Sequence, residues 1–551
     1  MKIKNIYISK WRNIPEQKIF FDTDLTSLII GQNGLGKSNL LEAMTLIFVA
    51  IANTDTDLNL SNFDSRYFSF EIEYLLKNRS IIITYGINST YQIKIDNQIY
   101  KIREIKDGID HFDHKILSRI NADIIPHHFV TYYSGQNKRL EQILQKFEAI
   151  YIKGLKANKE TSFLTNRRKF MYLKNFHSPI LMLVLCIFKE VEKVSEKLYS
   201  KKVSNLLHYL GIESINSFSL TLNSPEWINK KNPHKTSEEE KIDNRFTEFI
   251  HMYLEDEEKY DYPFWNLKSS TDKLLKCLAY SCDLISYDNT DDIKSISDFK
   301  ETIEFNNIQI EEFKEHIIKY FDTPLELFYA LESLVLLDIL DIQNDLKFEI
   351  IKKTTSTEAN NLSYESLSEG ENQLFIVLGI VLVTGTDETV FLLDEPDTYL
   401  NPNWQREYIH LLEDFNLEDD DSHIIATTHS PLLVQNIEGM EKYKYDLILL
   451  YRNEDGTVQL DQGEKIMHNW RIDQVLASKY FNLTSTRPKS LDKYIVEKEA
   501  IIYNKELNID KKNNKLDELE IKYGGIPTGE SRNEIESLLL INEILKNLAN
   551  D

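Results

Sequence analysis

Cysteine is nearly absent: Cys186, Cys277 and Cys282 are the only three in 551 residues. None forms a CxxC pair. An odd, sparse set argues against a disulfide framework and points to buried thiols in a reducing compartment. Long apolar runs are also missing. The longest, "ILMLVLCIF" at 180–188, is too short to span a bilayer and reads as a buried helix. The N-terminus "MKIKNIYISKWRN" alternates polar and apolar residues, as a strand does and a signal peptide does not. A soluble, cytoplasmic protein with no membrane partner is expected. Basic residues are in deficit, 64 Lys and Arg against 88 Asp and Glu, for a net charge of −24. Such a surface repels nucleic acid in bulk, so any contact with it needs a local basic patch. Sustained heptads are lacking too, which excludes a long coiled-coil arm.

A hydrophobic content of 42% over this length is enough for two or three domains. Residues 1–150 read as one N-terminal part, β-rich over 1–100, with "YFSFEIEYLL", "SIIITYGI" and "TYQIKIDNQIYKI" alternating at period two. Residues 151–350 read as a helical insertion or lid, with "TPLELFYALESLVLLDIL" as its strongest helix and the charged "NKKNPHKTSEEEKIDN" (229–244) as a loop. Residues 351–460 return to strand–helix alternation. There "TVFLLDEPD" and "HIIATTHSP" are apolar throughout, as buried parallel strands are, and "DLILLYRNEDGTVQL" is a hairpin with an Asp-Gly turn. Residues 461–551 read as helical, ending in an amphipathic stretch at 533–545.

The chemistry sits in four short stretches. "GQNGLGKS", Gly31 to Ser38, fits G-x-x-x-x-G-K-S between an apolar strand and a helix. Its glycines let backbone N–H groups wrap phosphates, Lys37 supplies positive charge, and Ser38 offers a hydroxyl to Mg²⁺. Asn33, Gly34, Gly36, Lys37, Ser38 and Asn39 form the expected ATP-binding set. In "VFLLDEP" a buried strand delivers Asp394, suited to hold Mg²⁺ with Ser38, and Glu395, suited to orient or deprotonate an attacking water. "IIATTHSP" ends another such strand in His429, which can sense a γ-phosphate and position the water. The fourth stretch is "LSEGE", Leu367 to Glu371.

In this order the four stretches resemble the ABC-type ATPase heads of the RecF/SMC/OLD group. "KWRN" is likewise similar to the start of such heads, which places Arg12 near the nucleotide. The resemblance implies an α/β fold: an ABC-type P-loop ATPase head, a mixed sheet with flanking helices, with a large helical insertion and a helical C-terminal region. It implies that "LSEGE" acts in trans, with Ser368, Gly370 and Glu371 presented to ATP held by a second head. At least a homodimer follows. The loop after the carboxylates, with Asp397, Leu400 and Asn401, would lie at the dimer interface. Gln136 in "VTYYSGQNKRL" is the candidate for a Gln-bearing loop near the γ-phosphate, with a surface turn as the alternative. Glu369 departs from the Leu-Ser-Gly-Gly pattern.

Two further clusters stand apart from these stretches. "NRRKFMYLK" (166–174) is the best basic patch of the insertion. It reads as a solvated helix face ahead of a nucleic acid grip. "DHFDHK" and "PHHF" hold four histidines without a Cys, and a metal site there is disfavoured. The C-terminal region has no DxD on a strand, so the built-in nuclease of OLD-type proteins is not expected. The tail, "YYSGQNKRL" and the length together resemble the ATPase subunits (PtuA-like) of Septu-type anti-phage systems, including retron-associated ones. That resemblance implies control of an HNH-type nuclease partner, and in retron versions a reverse transcriptase with its multicopy DNA. A RecF-type DNA-repair or DNA-loading ATPase is the alternative.

Overall fold

The computed structural model describes residues 1–22, 25–52, 60–106, 109–135, 138–157, 168–189, 197–225, 270–282, 284–289, 301–353, 359–384, 388–415, 422–436, 446–462, 470–478, 480–481, 483, 488–504 and 507–523. Gln136, the 229–244 segment and the 533–545 stretch lie outside them. The chain divides into two units, Met1–Asn469 and Trp470–Asp551.

Two sheets dominate the first unit. One has six antiparallel strands in the order Gln17–Phe20, Lys2–Ile8, Phe70–Leu76, Arg79–Ile87, Thr90–Ile95, Gln98–Lys101. Its alternation is visible in Phe70, Ile72, Tyr74 and Leu76, all buried, with half-exposed residues between them. The other has seven strands in the order Phe170–Tyr172, His128–Tyr133, Thr389–Asp394, Ser422–Thr428, Thr26–Gly31, Asp446–Arg452, Val458–Gln462. All are parallel except the last, which pairs with its neighbour through the Asp-Gly hairpin. The strands Thr26–Gly31, Thr389–Asp394 and Ser422–Thr428 are buried at every residue, which is why they read as continuous apolar runs.

Helix Lys37–Ala52 lies between the two sheets and joins them into one core. Its Phe48 ring stands 5.6 Å from Tyr74 of the antiparallel sheet and 5.2 Å from Phe129 of the parallel one. A helix buried on nearly every side has no polar face, which explains its low amphipathicity. Helix His177–Phe188 holds the "ILMLVLCIF" run, is buried almost throughout, and packs against helices Pro324–Leu336 and Glu369–Thr384. Among the described residues no helix is long and apolar enough to cross a membrane. The cysteines are free, with Cys277 buried and the other two half-buried.

The expectation of a helical insertion is corrected. Strands Leu284–Asn289, Glu301–Gln309, Ile212–Asn223, Leu346–Lys353 and Ala359–Ser363 form an antiparallel sheet in that order. Strand Ile212–Asn223 pairs with two segments far along the chain, Glu301–Gln309 and Leu346–Lys353, and its register against the latter shifts twice, so only its second half, "SFSLTLN", alternates cleanly. The sheet also runs past residue 350 and blurs that boundary.

The basic patch is corrected over its described residues, 168–174; Asn166 and Arg167 lie outside them. Arg168 is 1% exposed and belongs neither to a solvated face nor to a nucleic acid grip. Its Nε donates to Glu332 Oε2 at 3.0 Å, and its Nη2 pairs with the other carboxylate oxygen. His177 Nε2 lies 3.1 Å from the same carboxylate. Burial pushes the Glu332 carboxyl up, but the Arg168 charge and the two side-chain hydrogen bonds override it and hold the group at about 2. Lys174 pairs with Glu141 and Glu148, and Phe170 is buried in its strand.

In the second unit, helix Asp492–Tyr503 packs on helix Ile509–Tyr523 through the Tyr494 and Tyr523 rings and an exposed Lys522–Glu497 pair.

Arg168→Met removes the cation from the buried Glu332 and leaves it with His177 alone of these two partners. It should cost roughly 3–5 kcal/mol in urea unfolding, and adding Glu332→Leu should restore much of that loss.

Candidate active site

The phosphate-binding loop is shaped by glycine and laced by amides. Gly34 and Gly36 sit at φ +80° and +106°, and a Cβ on Gly36 would stand 2.7 Å from Asn13 Oδ1. Asn13 Nδ2 donates to the Gly34 carbonyl at 2.9 Å, and Asn39 Nδ2 donates to Asn13 Oδ1 at 2.6 Å. Arg12 and Arg139 both donate to Asn39 Oδ1, at 3.2 and 3.0 Å. Both also face the buried Glu42, at 2.5 and 3.4 Å. The turn that ends the first strand is thereby tied to the loop, and Arg12 stands beside it as expected. Asn13 and Arg139 are additions. Asn13 follows Arg12 inside "KWRN", and Arg139 lies three residues beyond Gln136 in "VTYYSGQNKRL".

Lys37 is buried. Its Nζ donates to the Gly31 carbonyl at 2.7 Å and the Gln32 carbonyl at 3.3 Å. Burial lowers its pKa, against the pull of Glu395, Asp394 and Asp397. Ser38 and Thr427 both give their hydroxyls to Asp394, whose carboxyl is raised by burial in spite of them. The half-buried Ser38 hydroxyl and the buried Asp394 carboxylate, side by side, are hard oxygen donors. They fit a divalent cation that completes its shell with phosphate oxygens and water. Among the described residues no three His, Cys, Asp or Glu gather as a metal site. His128, one of the clustered histidines, is buried beside the Tyr329 hydroxyl at 3.2 Å.

Glu395 follows Asp394 at φ +51°, a conformation that side-chain-bearing residues seldom take. Its N–H donates to the Thr427 carbonyl at 3.0 Å, and its own carbonyl accepts from Thr398 Oγ1 at 2.9 Å. The reversal aims the carboxylate at His429, whose Nδ1 lies 3.3 Å from Oε1. The hydrogen bond from His429 lowers Glu395, and the same bond raises His429. The structure therefore brings these two residues together.

The loop after Glu395 departs from its expected exposure. Asp397 is buried in its own chain, where it accepts from Thr428 Oγ1 at 2.9 Å, and burial raises it to about 6. Leu400 is buried too. Neither offers its side chain to a dimer interface, because the chain folds back beneath the strand ends. Asn401 is exposed and accepts from the Trp404 N–H at the start of helix Pro402–Phe415, and Tyr399 is half-exposed.

Ser368 caps helix Glu369–Thr384. Its N–H and hydroxyl donate to Glu371 Oε2 at 2.8 and 3.0 Å, and its Oγ accepts from the Glu371 N–H at 3.3 Å. Lys352 pairs with Glu371. A Cβ on Gly370 would stand 2.6 Å from the Tyr399 carbonyl, so glycine is required where the helix meets that loop. Glu369 is exposed.

A glycine loop, a buried lysine and a hydroxyl–carboxylate pair at the carboxyl ends of parallel strands define a P-loop nucleotide hydrolase. The family model for the AAA ATPase domain matches residues 1–434, and the chain belongs to that family and binds ATP. Over shorter stretches the chain is similar to several curated proteins. The Septu protein PtuA of Bacillus thuringiensis is 28% identical over 24% of this chain and 37% of its own length. The DNA replication and repair protein RecF of Caldanaerobacter subterraneus subsp. tengcongensis is 30% identical over 23% and 35%. The DNA double-strand break repair Rad50 ATPase of Methanococcus maripaludis is 29% identical over 28% and 13%. The chain thus spans about a third of the length of the first two relatives. Among solved structures, the SMC head domain from Thermotoga maritima aligns over 84% of this chain and 100% of its own at 10% identity and a TM-score of 0.30. The recombination mediator protein RecF with ATP aligns over 84% and 97% at 17% identity and 0.28.

The Glu395–His429 pair sets a pH dependence. Glu395 keeps its charge below its ordinary pKa and loses it only as the pH falls through that lowered value. The acid limb of kcat/KM should therefore lie below the usual glutamate range, and His429→Gln should move it upward.

Proposed function

We propose that this ATPase holds Mg-ATP between the Lys37 loop of one head and the Ser368 helix start of another, and that this closure controls a nuclease partner of HNH type in an anti-phage complex. The observation that carries the chemistry is the pairing of Glu395 with His429 beside the Ser38–Asp394 pair. Backbone N–H groups of the Gly34–Gly36 loop and the Lys37 ammonium would bind the phosphates. Ser38 and Asp394 would hold Mg²⁺, which supplies charge neutralisation to the phosphates. Glu395 would take a proton from the attacking water, and His429 would orient Glu395.

The homodimer is inferred from the separation of roles: the Ser368 helix start has exposed Ser368 and Glu369 in place to meet a partner. The anti-phage reading is supported by the local likeness to the Septu protein PtuA. A reverse transcriptase with multicopy DNA would join in retron-type assemblies. The likeness to RecF and Rad50 supports a second reading, DNA repair or loading, in which DNA stimulates turnover with no nuclease partner.

Lys37→Ala should abolish nucleotide binding, while Glu395→Gln should bind ATP, release no phosphate and accumulate as a dimer in light scattering. Ordinary phosphate release by Glu395→Gln would remove the assigned base. Glu369 is exposed in the first turn of its helix, where its carboxylate would face phosphate. Glu369→Gly should therefore raise turnover, and an unchanged rate would mark the carboxylate as neutral to closure.

A further inference from the structure

Gln373 lies one turn into helix Glu369–Thr384 and is 2% exposed. Its side-chain amide has three partners. The Tyr399 N–H donates to Oε1 at 3.0 Å. Nε2 lies 3.5 Å from the Glu395 carbonyl. The amide also bonds the hydroxyl of Tyr132, a phenol raised by burial. A backbone N–H only donates and a carbonyl only accepts, so these partners fix which way the amide faces. One buried side chain thus ties the helix that Ser368 caps to both ends of the segment Glu395–Tyr399.

That segment is conformationally demanding. Glu395 is held at φ +51° by bonds to its N–H from the neighbouring strand and to its carbonyl from Thr398. Gly370 brings the Tyr399 carbonyl against the same helix turn. Movement of the helix start therefore reaches Glu395 through Gln373 and Tyr399 without passing through solvent. The bond from Gln373 to the Glu395 carbonyl is at the long limit for a hydrogen bond, so a small displacement makes or breaks it. A cavity of about 1200 Å³, lined by Gln373, Tyr132 and Tyr399 among others, leaves room for that displacement.

We infer that Gln373 is a positioning residue that transmits engagement of the Ser368 helix start by a second head to Glu395 of its own chain. The inference rests on the proposed trans site. It makes each head's base responsive to the ATP of its partner, so two sites would fire together.

The test is steady-state ATP hydrolysis by the full chain against both ATP and protein concentration. Gln373→Met, which keeps length and loses all three bonds, should lower kcat roughly tenfold while KM and affinity for a non-hydrolysed ATP analogue stay within about twofold. The double variant Gln373→Met/Ser368→Ala should lose no more than the more damaging single change, as expected of residues on one path. Tyr132→Phe removes one hydroxyl only, and should give a milder loss of the same kind should Gln373→Met fail to fold. An unchanged kcat in Gln373→Met or, where that variant does not fold, in Tyr132→Phe overturns the inference, as do losses that multiply in the double variant. A wild-type rate independent of protein concentration, with Ser368→Ala unimpaired, removes the trans reading itself and the inference with it.

Discussion

Strand Ser422–Thr428 lies between the strand that feeds the phosphate loop and the strand that carries the carboxylates. In register, Thr427 faces Asp394 on one side and Ile29 on the other. Its hydroxyl donates to the Asp394 carboxylate, and its carbonyl accepts the Glu395 N–H. The next residue, Thr428, holds Asp397. Successive residues of a strand point to opposite faces, so a slip of one position would turn both hydroxyls away from their carboxylates. Buried carboxyls left without these donors would be costly, and the register is held from both sides by apolar pairs such as Leu392 with Ile425. The geometry of the acidic side of the site is set by this one strand.

Charge is set by the same burial. Lys37 is pushed down and Asp394 and Asp397 are pushed up, all chiefly by loss of water. Each group is therefore held away from its preferred charged form, and the three acids around one lysine are only partly compensated. A polyphosphate with a divalent cation supplies both missing signs, with anion beside Lys37 and cation beside Asp394. Glu395 differs from its neighbours: it is half-buried, and its hydrogen bond with His429 keeps it ionised. Ionised and ready to accept a proton is the state that a general base needs.

What could be read from the chain in advance follows from how far each feature reaches. The phosphate loop was legible because its parts are consecutive: strand, glycines, Lys37 and Ser38 must adjoin for the backbone to wrap phosphate. Asp394 and His429 were legible because apolar strands deliver them. Features made by distant partners were not. Arg168 sits in a run that looks solvated, and only Glu332, 164 positions away, explains its burial. The central strand of the insertion's sheet, Ile212–Asn223, pairs on both sides with segments far along the chain. Asn13, Arg139 and Gln373 act through contacts that no local pattern encodes, and Asp397 turns inward because the strand beside it ends in a threonine.

The helix start at Ser368 brings the remaining constraint. A hydroxyl has one hydrogen, and here Ser368 gives it to Glu371, whose carboxylate also takes the Ser368 N–H. Burial pushes the Glu371 carboxyl up, and the Lys352 bond with the two from Ser368 brings it down below its ordinary value, so it stays a strong acceptor. A phosphate docking in trans must compete with that carboxylate for the same hydrogen. Release of Ser368 would leave Glu371 with Lys352 as its principal partner, while Gly370 keeps its contact with the Tyr399 carbonyl. The helix start would then be free to follow the phosphate while the turn above it stays fastened to the Glu395 loop. On the proposed trans site the capping box would favour the undocked form, and docking would have to overcome it before the helix could report to Glu395.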